Sequence, residues 1–210
     1  MKFIKQAFVI LVAMLFASPV FAEVKEGKDY TVISPALPTN SGNKIEVLEF
    51  FFYGCSHCFK MYPVLSEWEK KMPKDVKITH VPTIFNPAWE SMARTYYALE
   101  SLELQKRLDG ELYNAWNVNN MNLSEDDKAI DFVAKHGVDR KKFSDAYNAF
   151  SMQGKIMRSK QMAQSYNIRG TPTLIVDGKY TIAALPPADT IRVLDALVDK
   201  ARKERMARKD

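Results

Sequence analysis

The sequence predicts an α/β protein: one sheet whose strands are interrupted by a block of helices. Three observations carry this. Residues 45–53 form a near-continuous apolar run, the pattern of a strand covered on both faces, and helical spacing follows at once. From 87 to about 165 the pattern is helical throughout, and strand character returns only at 173–176. The composition agrees: 47% apolar and 26% charged residues, with 8 Gly and 10 Pro in 210, exclude a disordered, collagen-like or low-complexity chain. No internal repeat is present.

The elements follow in order. Lys2 and Lys5 precede an apolar run from Ala7 to Phe16, and Ser18 to Ala22 end in a small residue before Glu23. This is the pattern of a secretory signal, with cleavage expected after Ala22. The run is shorter than the roughly 20 residues that span a bilayer, which argues against an anchor. A short strand is expected at 30–33, then a polar linker rich in Pro, Asn and Ser, then the strand at 45–53, which Gly54 breaks. Met61, Val64, Leu65 and Trp68 recur at helical spacing, so an amphipathic helix is expected to about Met72. Residues 76–84 read as a second major strand, with Pro82 near its end or on an edge.

Within the helical block, Leu104, Leu108, Leu112 and Trp116 stand four apart. Ser124 with Asp127 resembles a capping box for a helix reaching His136, with Gly137 as its stop, and Asp139 caps another helix expected to reach Phe150. After 173–176, Asp177-Gly178 is a hairpin turn signal leading into 179–182, and a last helix runs from about Ala188. The divisions expected are therefore 1–22 as signal, 23–86 with 166–210 as the sheet domain, and 87–165 as inserted helices.

Charge excludes little. The formal net charge is +5, falling to +3 without Lys2 and Lys5, too mild to argue for nucleic acid. The basic run from Lys200 to Lys209 reads as the solvated end of a helix, where cations suit the dipole.

The cysteines decide more. The chain has 2, both in Cys55-Ser56-His57-Cys58, and export would place them where disulfides persist. At a strand-to-helix turn, Cys55 meets unpaired backbone N–H groups that stabilise a thiolate, and His57 offers a further donor or positive charge. Stabilising that thiolate stabilises the reduced form, so the disulfide becomes a stronger oxidant. A pKa lowered from about 8.5 to about 4.5 would be worth ~3.4 kcal/mol at pH 7, roughly 70 mV. A purely structural disulfide is a poor alternative, since closing so short a loop gains only roughly 2 kcal/mol. Zinc would need distant ligands from His80 and His136, which have no ligand-like spacing, so no metal is expected.

These residues resemble a known family, the periplasmic thiol:disulfide oxidases called DsbA. The resemblance rests on the VLEFF run at 47–51, the CxHC motif at Cys55 and Cys58, the helical block between strands, and Arg169-Gly170-Thr171-Pro172 before the last hairpin. The resemblance likewise implies a low-pKa cysteine and an oxidising disulfide, a known behaviour of that family.

The resemblance implies an α/β thioredoxin-like fold with a helical domain inserted between strands. It further implies Cys55 as the exposed nucleophile, Cys58 as its buried partner, and Pro172 as a cis-proline, with Thr171 before it offering backbone groups to an extended substrate. Glu49, on the same strand face as Val47 and Phe51, would be a buried acid beneath Cys58 that helps move its proton. Two departures stand out: His80 where many members carry lysine, and Ser56 where proline commonly precedes the histidine.

The implied activity is a monomeric oxidase of the periplasm. It would donate its disulfide to exported, unfolded proteins with cysteines and be reoxidised by a membrane quinone-linked partner resembling DsbB, without a dissolved cofactor. A disulfide isomerase or reductase of the same fold is the nearest rival, although such isomerases generally carry a dimerisation domain for which this chain has no room. A Cu(I)-binding chaperone using two thiolates and a histidine is the rival from another class.

Overall fold

The structure, a computed structural model, describes residues 23–208; the expected export signal and the last two residues lie outside them. The chain forms β1 (Tyr30–Val32), β2 (Ile45–Phe51), α1 (Ser56–Lys71), β3 (Val76–Pro82) and, after a 3-10 turn at Pro87–Trp89, α2 (Glu90–Ser101). There follow α3 (Gln105–Asn117), α4 (Asp126–Lys135), α5 (Arg140–Tyr147) and α6 (Phe150–Ser165). The hairpin β4 (Thr173–Val176) and β5 (Tyr180–Ile182) leads into α7 (Pro187–Ala207).

The five strands make one sheet in the order β1-β5-β4-β2-β3. β2 lies inside it, parallel to β3 and antiparallel to β4, and all seven of its residues are buried. That is why its sequence shows no alternation: both faces are covered. On one face Val47 packs with Met61 and Leu65 of α1 and with Val193, Leu194 and Leu197 of α7. On the other, Leu48 and Phe50 meet Ile168 and the end of α6. Pro82 ends edge strand β3, where its missing N–H costs no ladder bond on the open side.

The helices α2–α6 gather around Leu99, Leu112, Phe143 and Tyr147, and this cluster also takes in Phe51, Phe52, Tyr53 and Cys58. The end of β2 is thus shared between the sheet and the insert. In the hairpin, Asp177 and Gly178 both have positive φ, and the Lys179 N–H closes the turn on the Val176 carbonyl at 3.0 Å. Gly178 lies so close to the Leu37 carbonyl that a Cβ would clash with it.

Three local expectations change. The Ser124 capping box does not form: Ser124 N–H is held by Asn122 Oδ1 at 2.9 Å in a local turn, and α4 begins at Asp126. Asp139 does cap, accepting from the Lys142 N–H at 2.8 Å, but its helix ends at Tyr147 and Phe150 opens α6. The basic end of α7 is partly tied down: Arg202 pairs with Asp75 and Asp199, and Arg205 with Asp177.

Candidate active site

The turn that carries the cysteines is fixed by the aromatic end of β2. Phe52 stacks on Trp89, ring centroids 3.8 Å apart at 5°, and meets Trp116 edge-on. The Asn117 amide donates to the Tyr53 carbonyl at 2.8 Å. Gly54 follows because a Cβ there would run into Phe52 and Trp116. The chain then turns on a bond from the Cys55 N–H to the Phe52 carbonyl, 3.0 Å, and enters α1 with Cys55 at the N-cap.

Both cysteines are free thiols here, and their surroundings differ sharply. Cys55 is half-buried; its Sγ accepts from the Cys58 N–H at 3.5 Å and lies 3.2 Å from the Thr171 carbonyl, to which the thiol form donates. The Cys55 pKa falls to about 5. The Cys58 thiol bonded to it contributes most and burial opposes; Thr171 and the backbone N–H groups of Cys58 and His57 add to the lowering. At that pKa the thiolate outnumbers the thiol by about 100 to 1 at pH 7, which favours the reduced form by about 2.7 kcal/mol, about 60 mV. Cys58, with no exposed surface, is pushed far up, chiefly by burial, then by Cys55 and the charge of Glu49.

His57 is placed differently from the expectation. What it lends Cys55 is its backbone N–H; its ring is exposed, and among the described residues no hydrogen bond joins that ring to Cys55. The ring instead lines a cavity of about 430 Å³ beside the cysteines, with Thr171, Pro172, Leu185 and Pro186. The Thr171–Pro172 bond is cis.

Behind Cys58 lies a charged cluster. Glu49 is 4% exposed, so the buried placement expected for it is the one observed. His80, opposite it on β3, reaches Glu49 with Nδ1 at 2.5 Å and Glu69 of α1 with Nε2 at 2.9 Å. Burial acts to lower the His80 pKa, but the bonds to the two glutamates prevail and hold it up at about 10. The raised pKa favours the imidazolium, which faces one carboxylate with each ring nitrogen. Asp109, pushed up to about 7 by burial, accepts from the Tyr53 hydroxyl and the Gln105 amide.

Glu69 and Asp109 are absent from the sequence-based candidates. Glu69 reads as the polar side of an amphipathic helix, and Asp109 as a polar gap between Leu108 and Leu112. The available signal was Tyr53, a hydroxyl inside an otherwise apolar run that needs a buried acceptor.

A nucleophilic thiolate at a helix N-terminus, hydrogen-bonded to a buried second thiol and facing a cis-proline, defines a thiol:disulfide oxidoreductase on a thioredoxin-like sheet. Comparison with known proteins agrees. Residues 46–199 match the family described as DSBA-like thioredoxin domain. The thiol:disulfide interchange protein DsbA of Pseudomonas aeruginosa is 32% identical over 202 residues, covering 92% of this chain and 96% of its own. That of Burkholderia cepacia is 34% identical over 196 residues, covering 90% and 91%. The crystal structure of Pseudomonas aeruginosa DsbA superposes with a TM-score of 0.82 at 33% identity, covering 89% of this chain and 97% of that one. The oxidoreductase NmDsbA1 of Neisseria meningitidis gives 0.82 at 27% identity, covering 88% and 97%. The chain belongs to the DsbA-like thioredoxin-domain family and is a protein disulfide oxidoreductase.

Proposed function

We propose that the protein is a periplasmic dithiol oxidase that donates the Cys55–Cys58 disulfide to exported, unfolded proteins. The observation that carries this reading is the inequality of the two thiols, one held as thiolate at about 5 and the other held as thiol. A substrate thiolate attacks Cys55 Sγ; the Cys55–Cys58 bond breaks and Cys58 leaves, taking up a proton with Glu49 as its near acid-base. A second substrate thiolate attacks the sulfur joined to Cys55, forming the substrate disulfide and releasing Cys55 as a stable thiolate. Thr171 and Pro172 hold the substrate main chain at the groove, and the His57 ring forms part of its wall. Main-chain contacts suit an enzyme with many clients.

In this reading residues 1–22 direct export, 23–86 with 166–210 form the thioredoxin-like domain, and 87–165 are the inserted helical domain. The protein works as a monomer without dissolved cofactor, and a DsbB-like, quinone-linked membrane protein restores the disulfide.

The test is to mix the oxidised protein with a reduced, denatured protein holding one native cysteine pair. Loss of substrate thiols in step with reduction of Cys55 and Cys58, together with a glutathione equilibrium on the oxidising side of the glutathione couple, supports the reading. A reducing equilibrium, or reshuffling of disulfides without net oxidation, overturns it.

A further inference from the structure

The cavity of about 430 Å³ in front of Cys55 carries charge of one sign only. Pro172, Leu174, Ile182 and Leu185 give it apolar surface, and none of its lining residues is acidic. From α1 it takes His57 and Lys60, three positions apart and so on one face of the helix. Lys60 is exposed, and among the described residues its ammonium has no ion-pair or hydrogen-bond partner. The sequence of α1 explains why. The positions three and four away in either direction are Ser56, His57, Pro63 and Val64, so no carboxylate of its own helix can pair with it. Lys70, two turns on, is not left so: it lies 2.5 Å from Glu67. The carboxylate adjoining the lining in sequence, Asp189 beside Thr190, faces Arg192 at 3.7 Å. The groove therefore holds an unused positive charge close to the reactive sulfur.

We infer that Lys60 selects among the clients of this groove, favouring unfolded proteins that carry an aspartate or glutamate two residues from the attacking cysteine. The inference rests on the disulfide exchange proposed above and names a substrate class for it. Along α1, Lys60 lies five residues beyond Cys55, a rise of about 7.5 Å. An extended peptide advances about 6.7 Å in two residues and returns its side chains to the same face. A peptide running along the groove with its cysteine at Cys55 Sγ thus brings the side chain two positions on to the height of the ammonium. A carboxylate there gains an ion pair, and a client lysine or arginine meets repulsion instead. The pair also offsets a handicap, because an acid beside the client cysteine raises that thiol's pKa and depletes the attacking thiolate. Thr171 and Pro172 hold main chain whatever its sequence, so the charge biases a tolerant site without restricting it.

The experiment mixes the oxidised full chain with an excess of reduced single-cysteine peptides, alike except for Asp or Lys two residues before or two residues after the cysteine. Loss of the Cys55–Cys58 disulfide is timed, and each rate is divided by the same peptide's rate with hydroxyethyl disulfide, which removes intrinsic thiol reactivity. At one of the two positions the wild type should prefer Asp over Lys by about fivefold in dilute buffer, as an exposed attraction and an exposed repulsion together allow, and by less in 0.5 M salt. Lys60→Gln should bring the ratio close to one, Lys60→Glu should invert it, and Lys60→Arg should keep it. Because the readout is a ratio between peptides, a general loss of activity or a shifted Cys55 pKa in a variant cancels. A wild-type ratio near one at both positions, or a preference that persists in Lys60→Gln and Lys60→Glu, would overturn the inference. Failure of the oxidase reading would appear instead as a reducing glutathione equilibrium with the charge preference intact.

Discussion

The two sides of the cysteine pair are built on opposite plans. In front of Cys55 the cavity walls are mainly apolar side chains and main chain, among them Pro172, Leu185 and Pro186, with Thr171 turning its carbonyl to the sulfur and His57 and Lys60 of α1 adding ionisable groups. Behind Cys58 they are ionisable: Glu49, Glu69, His80 and Asp109. The cavities are similar in size, about 430 and 360 Å³, so volume does not separate them; chemistry does. A surface that must accept many peptides gains from shape and main-chain bonding, whereas a surface that must move a proton needs groups that titrate. On the proposed reading the difference divides one redox step between recognition in front of Cys55 and proton handling behind Cys58, with α1 lining both cavities.

The largest test of that division removes the inner sulfur. Cys58→Ala should abolish turnover and leave substrates trapped on Cys55. Because the Cys58 thiol is the main group lowering the Cys55 pKa, that pKa should also rise from about 5, by roughly one pH unit or more. Thiolate absorbance across a pH series reads this directly, and an unmoved midpoint would assign the lowering to the helix end alone.

Next in size is Gly54→Val, which should cost roughly 2–3 kcal/mol in urea unfolding by displacing Phe52 from its stack on Trp89 or Trp116 from its edge-on contact. A neutral result would mean that the aromatic wall is softer than its packing indicates.

The reduced state should also show a pH signature from Cys55. Its pKa is depressed on folding, so its contribution is full above the unfolded value of about 8.5 and is lost as pH falls through about 5. Asp109 acts the other way. Its folded pKa, about 7, lies above the unfolded value near 4, so stability drains as pH rises between them. Asp109→Asn should flatten that limb and stabilise the protein at pH 8 by about 1–2 kcal/mol, as denaturation at pH 4, 6 and 8 would reveal.

The smallest effect belongs to His57→Ala. The backbone N–H that helps Cys55 is retained in any non-proline residue, so the Cys55 midpoint should move by only a few tenths of a pH unit. A shift of a full unit would give the ring an electrostatic role that its exposed position does not indicate.

Much of this was legible beforehand, for identifiable reasons. β2 announced itself because burial on both faces leaves no polar alternation, and the 177–178 turn because positive φ at both positions selects Asp-Gly. Cys55 and Cys58 were legible because their chemistry needs that spacing at a helix start. The cluster behind them was not, because it joins Glu49 and His80 from two strands with Glu69 and Asp109 from two helices, and no local periodicity encodes such a meeting. Sequence places His57 near Cys55 and so offers it a donor, whereas which part of the residue donates depends on the turn: the backbone N–H reaches Cys55 and the ring lines the groove. The Ser124 cap failed because a neighbour, Asn122, competed for the same backbone.

The contact between Cys55 and Thr171 spans 116 positions of chain. A ribosome delivers the two cysteines long before it delivers Thr171, and β4 takes its place beside β2 only after the whole insert has appeared. Until then the thiol pair exists without its groove, its antiparallel neighbour or the full set of bonds that hold the thiolate. The site is therefore an event late in the life of the nascent molecule, and an amino-terminal fragment ending within the helices would carry the CSHC motif but not its complete surroundings.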